Sequence, residues 1–390
     1  MDGQSTPAFR RRFAVTNTLG NHDQSLEPMS DHINEVQLEP EVKTEGEFQT
    51  KFKKKTIIKG TLWFALITVA TIAFIFIYNN TGNTIDALKR IQPKYIALCA
   101  VMLFVDLMLG GWRNHIFARK LKPGLSQWVS FKANVANMFM GAVTPAHGGA
   151  GPAQIYIYMS NGLSFLDAFA IALINMGATL IFMPISALFA IFMIDAQLDS
   201  GLIPNLLKYG FSFFFLFLIG FLLAFWKPIV MGKGIKKLAA FLGKMIPKRK
   251  EQFAAWGQRM FDNIAKYQKI CSVLLKQHPF LFPLAILITI LLYFNKYCMQ
   301  YVILLGLGLH PDIIQVISIQ ILIQFMIYFA PSPGGSGFAE VSISVLFSKI
   351  VPPAIVPIFT LLQRSFLLFF PAIIGAFVVI NRLRKHAAEN

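Results

Sequence analysis

Cysteine is scarce in this chain, and what there is does not pair up. Cys99, Cys271 and Cys298 lie far apart in 390 residues, and an odd, scattered set supports neither a disulfide framework nor a zinc site. The seven histidines show no ligand spacing, so neither a metal nor a cofactor is expected. Charge is scarce too: Asp, Glu, Lys and Arg make up 14% of the residues, where a soluble domain carries about 25%. With 55% hydrophobic residues, 38 Phe and a mean hydropathy of +0.56, this excludes an ordinary soluble domain. No G-x-x-x-x-G-K-[ST] loop is present, so nothing points to a nucleotide-driven pump. No nucleophile or metal cluster stands out, so an enzyme is not expected. No apolar stretch follows Arg10-Arg11-Arg12, so these residues do not open a signal peptide.

What is present is a series of apolar runs of about 20 residues, enough to cross a hydrocarbon core of ~30 Å as helix. The runs are continuous and not alternating, which selects helices over a barrel, because a helix satisfies its own backbone in lipid. The expected spans are Ile57 to Tyr78, Tyr95 to Trp112, Trp128 to Val143, Phe165 to Ile194, Asn205 to Trp226, Phe280 to Leu305, Ile313 to Phe329 and Pro353 to Ile380. Residues 1–50 hold nine acids and four bases without apolar periodicity and read as a disordered tail. The remainder holds 32 bases against 10 acids. These bases sit at the ends of apolar runs, as juxtamembrane anchors do, and not in a nucleic-acid-binding pattern.

The basic clusters at Lys51 to Lys59, Arg113 to Lys122, residues 227–279 and Arg382 to Lys385 read as cytoplasmic, and so do both termini. Within 227–279, Phe253, Trp256, Phe261, Ile264, Tyr267, Cys271 and Leu274 recur at helical spacing. That predicts an amphipathic helix, lying either in the inner headgroup layer or against the cytoplasmic ends of the bundle.

The chain is organised around Pro331-Ser332-Pro333-Gly334-Gly335-Ser336-Gly337-Phe338-Ala339-Glu340, which has an echo. An offset of 186 residues places Pro331 on Pro145, Gly334, Gly335 and Gly337 on Gly148, Gly149 and Gly151, and Glu340 on Gln154. The same offset carries Phe325-Met326 onto Phe139-Met140 and Gln320 onto Asn134. A duplication follows, repeat one over 95–194 and repeat two over 280–380, each with one interrupted segment; paired interruptions point to a transport site. Counting long helices between the cytoplasmic clusters gives five and then three, where even numbers are required. The simplest repair makes each glycine segment part of an additional, broken crossing, with the two repeats inverted. Re-entrant segments are the alternative. The expected fold is thus all-α, a polytopic membrane helical bundle of about eight transmembrane helices plus two glycine-broken or re-entrant segments, as an inverted repeat.

Proline and glycine together break a helix, and a half-helix beginning at the break offers unpaired N–H groups and a positive dipole end to an anion. Close helix packing is the plainer use of such glycines. Glu340 within a span is costly unless it faces a partner, and Arg364 is the candidate; they form a structural ion pair or share substrate work. Gln154 and Tyr156, with Tyr158, form the corresponding polar edge. Asn137, Asn175 and Gln324 either line the same space or bond between helices. Asp106 is a further intramembrane acid without a repeat counterpart.

The segments Pro-Ser-Pro-Gly-Gly-Ser-Gly-Phe-Ala-Glu at 331–340 and Gly-Gly-Ala-Gly-Pro-Ala-Gln-Ile-Tyr at 148–156, with Arg364 beyond, resemble the lysylphosphatidylglycerol synthase transmembrane-region family of flippase-like proteins over roughly residues 55–385. The resemblance implies a multi-pass protein of a bacterial or archaeal inner membrane, related to the lipid-flipping part of the multiple peptide resistance factor. That part moves aminoacylated phosphatidylglycerol. Two departures stand out. No soluble domain follows residue 385, so lysyl transfer is not expected, and Gln154 replaces a Glu common in the first motif. The expected function is a flippase or lipid-linked-precursor transporter, holding an anionic headgroup among Gly148, Gly149, Gly151, Gln154, Tyr156, Asn137, Gly334, Gly335, Gly337, Glu340 and Arg364. Its ligand would be an anionic or aminoacylated phospholipid or a polyprenyl-phosphate-linked precursor. The alternative is an accessory or scaffold subunit of a separate lipid synthase or glycosyltransferase.

Overall fold

Helix is the regular structure throughout the described residues of this chain, seen in a computed structural model. They are residues 91–193, 202–245, 250–328 and 330–389, with helical positions at 62, 66, 69, 70 and 73. The tail 1–50 and most of the span Ile57 to Tyr78 lie outside them.

The first half comprises α1 (Pro93–Leu121), α2 (Gln127–Val143), a 3-10 turn at Pro145–His147, α3 (Ala150–Met159) and α4 (Phe165–Met193). Then come α5 (Leu202–Trp226), α6 (Pro228–Met245) and α7 (Lys250–Gln277). The second half repeats the first pattern: α8 (Leu281–Gly306), α9 (Ile313–Ile327), a 3-10 turn at Pro333–Gly335, α10 (Phe338–Phe347), and α11 (Val356–Arg364) running through a π turn into α12 (Phe370–Glu389). The starts obey local chemistry. Pro93 opens α1, where its missing N–H is not needed. The Ser126 hydroxyl caps α2 by accepting from the Trp128 amide, and Asp312, 186 residues on, caps α9 by accepting from Ile314 and Gln315.

Among the described residues, four helical stretches are long and apolar enough to cross a membrane: Pro93–Leu121, Phe165–Met193, Leu281–Gly306 and Val356–Arg382. The expected basic loop after Trp112 is instead the last turns of α1, with Arg113 packed inside the bundle. α2, with 17 residues, and α9, with 15, span roughly 25 Å at 1.5 Å per residue, short of a full crossing. The chain then turns back. Asn137 bonds Gln154, and a Cβ on Gly141 would lie 3.4 Å from that of Ala150, so α3 runs antiparallel to α2. Lys122, just beyond α1, donates to the carbonyls of Asn161 and Gly162, both at 3.0 Å, so α3 ends at the face where α2 began. The glycine segment is therefore the tip of a hairpin in which α3 folds back along α2. In the second half, Arg364 meets Glu340 while Phe347 meets Phe359 with ring centroids 4.6 Å apart, so α10 runs antiparallel to α11.

The first helices of the two halves run in opposite directions. Gln92 donates to Gly306, Asn295 donates to Met102, Lys296 pairs with Asp106, and Arg113 donates to Thr289, so α1 and α8 run antiparallel. α2 packs on α12 and α9 packs on α4, each half's hairpin lying on the closing helix of the other. The α2–α12 contact depends on glycine: a Cβ on Gly375 would collide with the Val135 carbonyl oxygen. The two 3-10 turns also pack on each other. The amphipathic segment is a hairpin of two helices, α6 against α7, and its apolar stripe docks on the bundle: Tyr267, Cys271 and Leu274 are buried, and Tyr267 meets Phe169 of α4 edge-on at 5.5 Å. Burial pushes the Cys271 thiol up to about 12, with the Tyr267 hydroxyl opposing the shift.

Candidate functional site

The two hairpin tips are built alike but finished differently. In the second tip the chain enters left-handed space at Gly334 (φ 59°), Gly335 (φ 67°) and Gly337 (φ 88°), which glycine does at little cost. In the first tip the same positions of the turn are Ala146 (φ 49°) and His147 (φ 55°), where a side chain makes that geometry expensive. The first tip is exposed from Pro145 to Gly148, whereas Gly334, Gly335 and Ser336 are buried.

Burial at the second tip comes from an ion pair. Glu340 has no exposed surface and Arg364 is 5% exposed; the Arg364 Nε lies 2.9 Å from Glu340 Oε1. The other Glu340 oxygen accepts from the Gly337 N–H at 2.6 Å. This is the reciprocal half of a capping box, whose other half would need the side chain that Gly337 lacks. Arg364 also donates to the Gly334 carbonyl at 2.9 Å and the Ser336 hydroxyl at 3.2 Å. The carboxylate therefore occupies the positive end of α10, and the guanidinium ties α11 to the tip. Gln363, beside it, donates to Gln320 of α9 at 2.8 Å.

The first tip has no such clamp. Gly149 caps α3, and its N–H goes to the Thr144 hydroxyl at 2.8 Å. Gly151 faces open space, with nothing within 4 Å of a built Cβ. Below the tip a neutral network takes over. Asn137 donates to Gln154, Gln154 to Asn114, and Asn175 to Asn114, at 3.1, 3.3 and 2.8 Å. The tie continues through the Asn175 carbonyl to Thr179, whose hydroxyl accepts from Arg113, as does Thr289 of α8; both bonds are 3.2 Å.

The structure thus joins Glu340, Arg364, Gly334 and Gly337 in one constellation, and Asn137 with Gln154 in another. Tyr156 is buried two residues from Gln154, roughly 200° around α3, so it does not share the edge that Gln154 forms with Tyr158. The alignment of Gln154 with Glu340 also shifts. α2 and α9 start 186 residues apart, but the turns at Pro145 and Pro333 and the caps at Gly149 and Gly337 stand 188 apart, so Pro152 takes the place of Glu340 and Ser342 that of Gln154. Asp106 pairs with Lys296 at 2.6 Å. Asn114, Arg113, Lys296, Thr179, Thr289 and Ser336 escape the sequence reading, although Asp106 and Arg113, seven residues apart, recur on one helical face.

A model of the lysylphosphatidylglycerol synthase TM region matches residues 62–375, which takes in both hairpins, the ion pair, three of the four long spans and most of the fourth. The chain belongs to this family. It is 23% identical over 303 residues to a UPF0104 membrane protein of Archaeoglobus fulgidus, covering 77% of this chain and 90% of the relative. It is 22% identical over 318 residues to a UPF0104 membrane protein of Methanothermobacter thermautotrophicus, covering 78% and 90%. No solved structure matches. A multi-pass helical membrane protein is thereby established, and a membrane lipid-related role fits the family.

Proposed function

We propose that this protein moves a lipid between leaflets, the headgroup passing the junction of the two hairpin tips while the acyl chains stay in the bilayer. The observation that carries the reading is the packing of the two 3-10 turns on each other, one locked by Glu340 and Arg364 and the other open. Freed amides and polar tips at membrane depth are tolerated where they face protein or water, and paired interruptions at corresponding places suit a transport site.

The basic clusters orient the molecule. With the Lys122 end of α1, the Arg382 end of α12 and the α6–α7 hairpin on the cytoplasmic side, the first hairpin enters from the cytoplasm and the second from outside. The helix count then becomes even in both halves, because α2 and α9 leave it. The antiparallel α1 and α8 support the same inverted relationship.

Reconstitution into vesicles with a fluorescent phospholipid tests the function. An impermeant reducing agent added outside quenches the outer-leaflet label at once; a transporter brings the inner-leaflet label to it faster than empty vesicles do, and Arg364→Gln slows it. A rate equal to that of empty vesicles favours the scaffold reading.

A further inference from the structure

Among the described residues, one face of the α6–α7 hairpin is apolar yet uncovered. On α7 each face has its neighbour: Tyr267, Cys271 and Leu274 are buried on the bundle side, Gly257 and Phe261 meet α6, and the remaining side carries the exposed polar residues Gln258, Asp262 and Lys269. On α6 the inner face is made of Gly232, Ala239 and Gly243, all buried. The approach there is close: a Cβ on Gly232 would lie 2.9 Å from the Phe261 ring, and one on Gly257 2.7 Å from the Ala239 Cβ. The opposite face of α6 is different. At 3.6 residues per turn, Val230, Gly234, Leu238, Phe241 and Met245 fall within an arc of about 80°. All are exposed, Phe241 by 58% and Met245 by 66%. Lys233, Lys237 and Lys244, exposed as well, fill the adjoining arc, and α6 contains no acid. Lys236 is turned toward α7, over the Phe261 ring at 5.1 Å.

Position and charge decide what meets this face. α5 exposes Phe215, Leu216, Ile219 and Leu223 along one stripe, as a lipid-facing helix does. It ends at Trp226 and α6 starts at Pro228, the Lys227 amide still bonding the Leu223 carbonyl and the Val230 amide the Lys227 carbonyl. α6 thus begins where the apolar run of α5 stops. The hairpin is held again at its other end, since α7 closes at Gln277 and the long span α8 opens at Leu281. A helix tied to membrane helices on both sides, apolar outward and fringed by lysines with long apolar stems, has the make-up of one lying in a headgroup layer. We infer that the outer face of α6 docks on an anionic lipid surface: Val230, Leu238, Phe241 and Met245 enter the boundary between headgroups and acyl chains, while Lys233, Lys237 and Lys244 meet lipid phosphates. A second copy fits this face poorly, because an isologous contact would bring the same lysine arcs together with no acid on α6 to answer them. The face includes no residue of either hairpin tip, so the inference goes beyond the transport reading and holds equally for a scaffold.

The test uses the full chain in vesicles of phosphatidylcholine, alone or with phosphatidylglycerol as about a third of the lipid. A nitroxide label sits at Phe241→Cys, Met245→Cys or, on the polar face of α7, Lys269→Cys, and the spectrum of the labelled unsubstituted chain is subtracted. Collision of the label with oxygen, which concentrates in lipid, is compared with collision with a water-soluble nickel chelate. In the anionic vesicles the oxygen-to-nickel ratio is expected to be roughly three-fold or more higher at 241 and 245 than at 269, and to fall in phosphatidylcholine alone. Changing the exposed Lys233, Lys237 and Lys244 together to Gln is expected to lower the ratio at 241 in the anionic vesicles and to leave it unchanged in phosphatidylcholine. Should Phe241→Cys fail to insert, Met245→Cys is read alone. A ratio at 241 and 245 equal to that at 269 in anionic vesicles places the face in water and overturns the inference. A high ratio indifferent to phosphatidylglycerol and to the three lysines reduces the contact to an apolar one and overturns the anionic surface. Low collision with both reagents means that protein covers the face, a second copy or an acidic partner, and overturns the lipid. Leaflet exchange is not read, so a chain that exchanges no lipid can still give the expected result.

Discussion

Replacing Glu340 by Gln leaves the Arg364 guanidinium buried with two neutral acceptors, the Gly334 carbonyl and the Ser336 hydroxyl, in place of a carboxylate at 2.9 Å. Replacing Arg364 by Gln leaves the Glu340 carboxylate wholly buried with the Gly337 N–H at 2.6 Å as its remaining partner. Removing one member of a buried pair typically costs about 3–5 kcal/mol, because the survivor is an uncompensated charge, while replacing both by neutral groups is often close to neutral. Each single variant is therefore expected to lose several kcal/mol, and Glu340→Gln with Arg364→Gln to recover most of it, a coupling of about 3 kcal/mol or more, at the top of the usual range for touching residues. Glu340→Gln is expected to be the milder single change, since an amide oxygen still accepts from Gly337 and keeps α10 capped. Thermal melting of the purified protein in detergent, followed by tryptophan fluorescence, compares all four forms. Additive losses in the double variant would refute the argument, because they would mean that the two groups do not sense each other's charge. Leaflet exchange by the recovered double variant then separates roles: restored stability with restored exchange makes the pair a structural clamp, and restored stability without exchange gives the charges a part in transport.

Gly375→Val is expected to destabilise the protein strongly, because even a Cβ would collide with the Val135 carbonyl oxygen, whereas Gly151→Ala, facing open space, should melt near wild type. Gly335→Leu, at a φ of 67° in the buried tip, is expected to stop leaflet exchange; parallel loss of folded protein in size-exclusion chromatography would assign that glycine to packing alone. Because burial raises the Cys271 thiol to about 12, its thiolate is nearly absent at pH 8 and grows as pH rises, so iodoacetamide alkylation mapped by mass spectrometry should be slow at pH 8 and several-fold faster at pH 9.5. Fast labelling at pH 8 would show that α7 does not dock on α4.

Much of the fold was legible because the apolar runs are long and the caps are local. Ser126 and Asp312 mark the starts of α2 and α9 at equal offset, and both glycine clusters mark breaks. Whether a broken helix goes on or turns back is set by tertiary contacts such as Lys122 to Asn161, which no local pattern announces. Among the described helices, α2 and α9, at 17 and 15 residues, are two expected spans that fall short of a full crossing, a shortness that hydrophobicity alone did not reveal. Glu340 and Arg364 could be paired from sequence since isolated intramembrane charges demand partners. Arg113 could not, because it follows Trp112 at the end of an apolar run and resembles the anchoring bases Arg119, Lys120 and Lys122. The Gln154–Glu340 alignment failed for a simpler reason: two additional residues precede the second tip, and an offset measured on helices does not carry through a turn of different length.

The central claim is that the headgroup passes where the hairpin tips meet, and a reversible lock across that junction tests it directly. In a background with Cys99, Cys271 and Cys298 changed to Ala, Ala146→Cys with Gly334→Cys places a thiol on each of the packed turns. Oxidation is expected to bring fluorescent-lipid exchange in vesicles down to the empty-vesicle rate, and reduction to restore it. Exchange that continues at full speed in the fully cross-linked protein would contradict the claim.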